Sequence, residues 1–246
     1  MNAFRFLSDE VIVVANNDEF GASLDLFTLP KPQGDAIPTP MMKVAKLCLP
    51  KADQSIYRLV FCNPPAKNGT PRSNRPLDNA AVSIKPFTNP PGNNIIRCWF
   101  LGDGSEHFSA IVHSSTLLRY ATPQHFKSIP WDEWNSYARC ILDQAGSMAT
   151  DFSGQRFLKG NEIWDFNQYR VKRLGKDFAT ETKTAHISVV TEISRVGVID
   201  CKNPIYSSLP YVRIVPKLWE IACLDDDRLF TAPVSNYRFP FFDASF

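Results

Sequence analysis

The chain has no apolar run approaching the roughly 20 residues that a membrane-crossing helix requires. Its start, Met1-Asn2-Ala3-Phe4-Arg5-Phe6, has no basic segment leading into an apolar leader core. A soluble protein in an intracellular compartment, cytoplasmic or nuclear, with no membrane partner is the expectation. Charge of one sign is also lacking. The 27 basic and 25 acidic residues leave a formal net charge of +2, which gives no electrostatic reason to expect nucleic acid as a partner. The usual chemical signatures are missing as well: no Gly-x-Ser-x-Gly elbow, no phosphate-binding P-loop, no dinucleotide fingerprint and no His-x-x-x-His pair. The chain has only four histidines, His107, His113, His125 and His186. Each reads as structural, because a ligand or base needs converging partners that the sequence does not supply. No catalytic residue, metal ligand or cofactor is assigned, and the expectation is that the protein is not an enzyme.

Six cysteines are scattered, several of them among apolar neighbours, as at Lys46-Leu47-Cys48-Leu49. They read as buried free thiols rather than a disulfide framework, which belongs to short secreted chains. The triplet Asn68-Gly69-Thr70 reads as a turn. Asp225-Asp226-Asp227 also reads as a turn, because consecutive residues point in different directions and Asp satisfies its own backbone there.

What is present is apolar and aromatic material: 44% hydrophobic and 12% aromatic residues in a chain of 246, enough to bury a large core. The length suits one domain spanning residues 1–246. Short apolar segments recur between Pro, Gly and Asn, and a helical period rarely survives three turns. The candidate strands are 10–15, 24–28, 43–49, 55–61, 81–85, 94–101, 108–113, 155–158, 162–166, 186–191, 196–199, 212–215, 219–224 and 228–231. The one candidate helix spans 131–143, where Trp134, Ala138, Ile141 and Leu142 recur at helical intervals, although 137–142 also alternates as a strand would. Long surface loops are expected near 30–40 and 63–79. The second of these carries Thr70-Pro71 beside Arg72, Ser73 and Arg75, a pattern common in exposed loops.

The most informative stretch runs from Gly154-Gln155-Arg156-Phe157 through Lys159-Gly160-Asn161 to Ile163-Trp164-Asp165-Phe166-Asn167. Apolar flanks around a Gly-Asn turn predict a hairpin. Phe6-Leu7-Ser8-Asp9-Glu10-Val11-Ile12 and 223–230 echo the same plan. Recurring hairpins of this kind build β-propellers, and blades of ~40–45 residues would make about five or six here. The echo has no fixed period and no Gly-His…Trp-Asp repeat signature accompanies it. The expected fold class is therefore all-β, β-propeller-like in the WD-repeat manner, closed or else incomplete and open, with a β-sandwich as the alternative.

A set of short motifs occurs in a fixed order: Val112-His113-Ser114-Ser115-Thr116-Leu117-Leu118-Arg119-Tyr120, Pro130-Trp131-Asp132-Glu133-Trp134, Gly154-Gln155-Arg156-Phe157, Asp165-Phe166-Asn167 with Val171-Lys172-Arg173, Ser208-Leu209-Pro210-Tyr211, and Asp226-Asp227-Arg228-Leu229. No single motif is distinctive. In this order they resemble the region downstream of the F-box in mushroom-type fungal F-box proteins, and the resemblance covers essentially the whole chain. It departs from the family after Trp134, where Asn135-Ser136-Tyr137 replaces the usual Trp-Gly-Pro continuation. The resemblance implies a noncatalytic, propeller-like substrate-recognition region of a ubiquitin-ligase adaptor, with a protein partner. The family's F-box is not found ahead of the first strand, so the sequence gives no basis for docking to a Skp-type linker. The alternatives are a degenerate or truncated gene product without a retained partner, and a propeller binding a sugar or other ligand.

The motif residues Gly154, Gln155, Arg156, Phe157, Asp165, Phe166, Asn167, Leu209, Pro210 and Tyr211 are expected to hold strands together. If 162–167 is a strand, Asp165 and Asn167 share one face and Trp164 and Phe166 the other. The candidates for partner contact are Arg170 and Lys172, read as one face of a strand, together with Tyr211 and Arg213, since Tyr and Arg are favoured at interfaces. A solvated, charge-protected edge and an inward-packed Tyr211 are the blander readings. The aromatic tail 236–246 is expected either to pack on the domain or to recruit a partner.

Overall fold

The alternation of apolar residues along short segments produces an all-β protein. The computed structural model describes residues 3–18, 21–30, 40–50, 58–62, 94–101, 107–122, 125–143, 152–197, 204–217, 219–224 and 229–233. The candidate strand 81–85, the loop 63–79, most of the loop 30–40, the triplets at 68–70 and 225–227, and the tail 236–246 lie outside the described residues.

Three larger sheets follow one another along the chain. The first joins β1 (Phe4–Phe6), β2 (Val11–Asp18), β3 (Gly21–Thr28), β4 (Met42–Cys48) and the later β8 (Lys127–Ile129) in that spatial order. All its pairs are antiparallel except β4 with β8, which run parallel. The second contains β5 (Arg58–Cys62), β6 (Ile95–Leu101), β7 (His107–His113) and β9 (Ala138–Asp143), antiparallel throughout. The third has the order β10 (Phe152–Ser153), β11 (Arg156–Lys159), β12 (Glu162–Asp165), β17 (Tyr211–Pro216), β14 (Ala185–Val190), β13 (Ala179–Glu181). Two ribbons complete the set, β15 (Ser194–Val196) with β16 (Ile205–Ser207), and β18 (Trp219–Leu224) with β19 (Leu229–Pro233).

The second sheet is buried on both faces. Strand side chains alternate between faces, and here the two sets go to different neighbours. Ile96, Cys98, Ala110, Val112, Ala138 and Cys140 join a core with Val13, Leu24, Leu26 and Leu47 of the first sheet. Ile95, Ile111 and Ile141 turn the other way, onto Phe157, Trp164, Phe166 and Tyr211. Burying each large apolar side chain contributes on the order of 1.5–3 kcal/mol, so the strand registers are held from both sides.

The three echoed segments are each a hairpin: β1 with β2, β11 with β12, and β18 with β19. Gly160 in the second turn has φ 57°, a conformation that a side chain disfavours. Within the first sheet, buried Asp25 accepts from the Ser23 hydroxyl at 3.0 Å, the Asn16 amide at 3.1 Å and the Lys43 ammonium at 2.7 Å. These partners meet the requirement that a buried carboxylate be hydrogen-bonded.

The expected helix over 131–143 is corrected. Within it, only α2 (Trp131–Trp134) is α-helical. A 3₁₀ turn at Asn135–Tyr137 follows, and the remainder is β9. Pairing with β7 buries Ala138, Arg139, Cys140 and Ile141, and that outweighs a helix that would bury one stripe. Two further helices were not anticipated, α1 (Ser114–Tyr120) and α3 (Gln168–Leu174). At seven residues each, neither is long enough to show three turns of periodicity.

The Pro-Trp-Asp-Glu-Trp motif clamps these parts. Trp134 is 0% exposed, meets Trp131 edge-on with centroids 4.7 Å apart, and donates its indole N–H to the Cys48 carbonyl at 3.0 Å. Trp131 donates to the Tyr206 carbonyl at 3.2 Å. Replacing Trp134 by Ala is expected to lower stability by about 3–5 kcal/mol, the range for large aromatic core truncations. Urea denaturation checks this, and Trp131→Ala, at a half-buried site, should cost clearly less.

Candidate functional site

The chain reverses twice beside the central sheet, and its helices stand at those reversals. After β7, the Ser114 N–H and hydroxyl both donate to the Asn94 carbonyl, at 2.9 and 3.0 Å. This starts α1, which carries Ser115, Thr116 and Arg119. After β12, the Asn167 side chain accepts from the N–H groups of Tyr169 and Arg170 at 3.0 and 3.2 Å. It thereby caps α3, and Gly175 with φ 83° ends it. Asn before a periodic segment and Gly after it were the signals in the sequence that could have found this helix.

The basic run at Arg170-Val171-Lys172 is thus helical, which corrects its reading as a strand. Residues two apart on a helix do not share a face. Val171 is buried, Lys172 is exposed, and Arg170 turns back to pair with Asp165 at 2.8 Å. The shared strand face of Asp165 and Asn167 is corrected too: β12 ends at Asp165, and Asn167 is the helix cap. Trp164 and Phe166 are both core residues.

Asp165 organises this corner. It is 3% exposed, and its Oδ1 accepts the Asn167 N–H at 3.0 Å while Oδ2 faces Arg170 and, at 3.8 Å, Arg156. The Phe166 N–H donates to the Gln155 carbonyl at 2.8 Å, and the Ile95 N–H to the Gly154 carbonyl at 2.9 Å, which ties the third sheet to the second. The Leu209 segment is held from two directions. Arg139 Nε donates to the Leu209 carbonyl at 2.8 Å, the Leu209 N–H donates to Ala138 at 2.9 Å, and the Gln168 amide donates to the Pro210 carbonyl at 3.0 Å.

Between α1, the 3₁₀ turn and α3 lies a cleft of about 630 Å³. Residues from separate motifs line it, among them Thr116, Arg119, Gln155, Asn167, Lys172 and Pro210. Arg119 stacks on Tyr137 with its guanidinium carbon 5.3 Å from the ring centroid. Arg119 and Lys172 are exposed, and no carboxylate among the described residues lines the cleft. The volume lies within the range of ligand-binding pockets, and the local field is positive.

The remaining residues singled out from the sequence go elsewhere. Phe157, Phe166 and Tyr211 are core. Tyr211 is 6% exposed and stacks on Trp164 at 4.4 Å, which excludes it as an exposed rim aromatic, and burial pushes its phenol up to about 12. Arg213 is a forked partner of Glu162. Its hydrogen bonds hold the Glu162 carboxyl below the usual carboxylate range. Cys140 is buried, which pushes its thiol up to about 12 and leaves it without a reactive thiolate. Among the described residues no group of three or more His, Cys, Asp or Glu gathers as a metal site would need. Arg119 and the cleft it helps to form were not singled out beforehand, since α1 was not anticipated.

No family model, no curated protein and no solved structure matches the chain.

Asp165→Ala is expected to lower stability by about 3 kcal/mol, because it strips the buried partner from Arg170 and Arg156 and weakens the α3 start. Thermal unfolding decides it, and an unchanged midpoint would sink the structural role. A second expectation concerns acid. Because the Glu162 carboxyl titrates lower in the folded than in the unfolded protein, its stabilisation is present above the ordinary carboxylate pKa and fades as pH falls through the folded value. Stability measured from pH 6 downward should therefore fall less steeply in Glu162→Gln than in the wild type.

Proposed function

We propose that the chain is a noncatalytic protein-interaction domain, similar to the substrate-recognition region of an F-box ubiquitin-ligase adaptor, and that its partner docks at the cleft between α1 and α3. The observation that carries the reading is convergence. Motifs more than thirty residues apart, at Thr116 and Arg119, at Asn167 and Lys172, and at Leu209 and Pro210, line one cleft, although each motif read alone suggested only local structure. The two exposed cations, with no carboxylate among the described lining residues, favour an acidic segment of the partner. Lys172 therefore remains a contact candidate and Arg119 joins it, whereas Arg170 and Arg213 are engaged by Asp165 and Glu162.

The sheet arrangement supports a propeller-like reading over a two-layer sandwich. In a sandwich each sheet buries one face, whereas blades of a propeller pack face to face in series, so an inner blade is covered on both sides. The second sheet is covered on both sides. In this reading the three larger sheets are successive blades, of an open or incomplete ring. No docking to a Skp-type linker is assigned to these residues.

A second reading draws on the lining itself. Ser115, Thr116, Gln155 and Asn167 present hydroxyl and amide groups beside the Tyr137 ring, a set that also suits a sugar.

Crosslinking with a photoreactive residue at Ser136, on the cleft rim, tests the proposal. Protein adducts are expected with the otherwise wild-type domain, and the Arg119→Glu/Lys172→Glu variant should reduce them at least tenfold while its melting temperature is retained. Unchanged adducts in that variant would overturn the acidic-partner reading. Saturable binding on a glycan array that the same substitutions leave intact would favour the sugar instead.

A further inference from the structure

A second pocket, of about 260 Å³, opens between β9, β12, β15 and β17. It is separate from the cleft between α1 and α3 and does not depend on the function proposed for that cleft. Three cations stand in its wall, Arg139, Lys159 and Arg195, and among the described residues no carboxylate does. Two of them bracket a stacked aromatic pair. Lys159 Nζ lies 4.9 Å from the centroid of Trp164, Trp164 lies 4.4 Å from Tyr211 with the rings inclined 23°, and the Arg139 guanidinium carbon lies 5.2 Å from Tyr211.

Arg139 is the anomaly. It is 3% exposed, yet among the described residues it has no ion pair. Its Nε donates to the Leu209 carbonyl and its Nη1 to the Glu192 carbonyl at 3.0 Å, and buried Nη2 has no acceptor. The Glu192 side chain is exposed. Glu162, the acid beside Lys159, is taken up by Arg213 and the Trp164 N–H and does not line the pocket. A buried charge is costly unless it is paired. This one is held in place by two carbonyls, and the exposed Glu192 carboxylate acts on it without forming an ion pair.

We propose that this pocket binds a small organic oxyanion: an apolar or aromatic body about the size of one ring, bearing a carboxylate or phosphate group that complements Arg139, Lys159 and Arg195. The size follows from the volume, since a cavity of roughly 150 Å³ accommodates benzene and drug-sized ligands need about 300 Å³ or more. The apolar body follows from Ile141, Val196, Trp164 and Tyr211 in the wall. The charge follows from three cations with no acid among the described lining residues. Arg139 acts from the wall through its field, which a low-dielectric surround screens weakly. Lys159 and Arg195, nearer solvent, make the direct contacts.

Calorimetric titration of the whole chain with phenyl phosphate, with benzoate and with the uncharged phenol tests this. Saturable binding of at least one of the two anions is expected, at least tenfold tighter than phenol, and the stronger of the two identifies the oxyanion. The Lys159→Gln/Arg195→Gln variant changes only partly or fully exposed side chains. It should melt as the wild type does and bind the anion at least tenfold more weakly. Lys172→Gln, in the other cleft, should bind it unchanged. The proposal is overturned if neither anion saturates, if phenol binds as tightly as they do, or if the double variant binds as well as the wild type.

Discussion

Burial of the β5-β6-β7-β9 sheet on both faces is the constraint on which the other parts depend. A strand sends alternate side chains in opposite directions, so a sheet in the middle of a stack needs two acceptable apolar sets in one sequence. Ile96, Cys98, Ala110 and Val112 form one, and Ile95 and Ile111 belong to the other. A slip of one residue in β6 or β7 would exchange the sets. It would also move Arg97 and Ser109, hydrogen-bonded at 2.9 Å, from the face shared with Phe157 into the apolar core beside the first sheet.

The two faces differ in chemistry. The one toward the first sheet is apolar, aliphatic residues with Phe61 and Phe108 among them. The one toward the third sheet carries two buried arginines, each over an aromatic ring: Arg97 lies 5.2 Å from Phe157 and Arg139 lies 5.2 Å from Tyr211. Cation–π contacts of this kind let a guanidinium sit against an aromatic layer, and the carbonyls of Leu209 and Glu192 satisfy part of Arg139. The joint between the second and third sheets is consequently polar and directional where the other joint is not. Both the 630 Å³ cleft and the 260 Å³ pocket open along it.

Strands and turns were largely legible in the residues. Val11 through Ala15, Ile95 through Leu101 and Glu162 through Trp164 lie in strands where alternation and β-branched residues suggested them, and Gly160 turns the hairpin that the Gly-Asn pair suggested. Helices were not. Ser114–Tyr120 and Gln168–Leu174 are two turns each, too short for periodicity to rise above the surrounding pattern, and only the cap signals Asn167 and Gly175 distinguished the second. At 138–143 both periods were present, and neighbours decided between them: β7 offered a full hydrogen-bonded edge that an isolated helix could not match. The candidate site suffered most from this, because Arg119, Lys172 and Asn167 acquire their positions from helices.

By itself, the sequence determined a β-rich chain with hairpins at Ser8, at Gly160 and between β18 and β19, and a motif set in which Asp165, Phe157 and Phe166 serve structure. Those properties are local: they depend on side chains two residues apart and on backbone conformations that Gly and Asn permit. Which sheet faces which, where Tyr211 packs, that Arg139 is buried without a carboxylate, and that Arg119 and Lys172 face one cleft were decided only by the tertiary structure. Each of those depends on segments forty or more residues apart meeting, and on burial changing the energy of a charge or a ring. No window of sequence carries either.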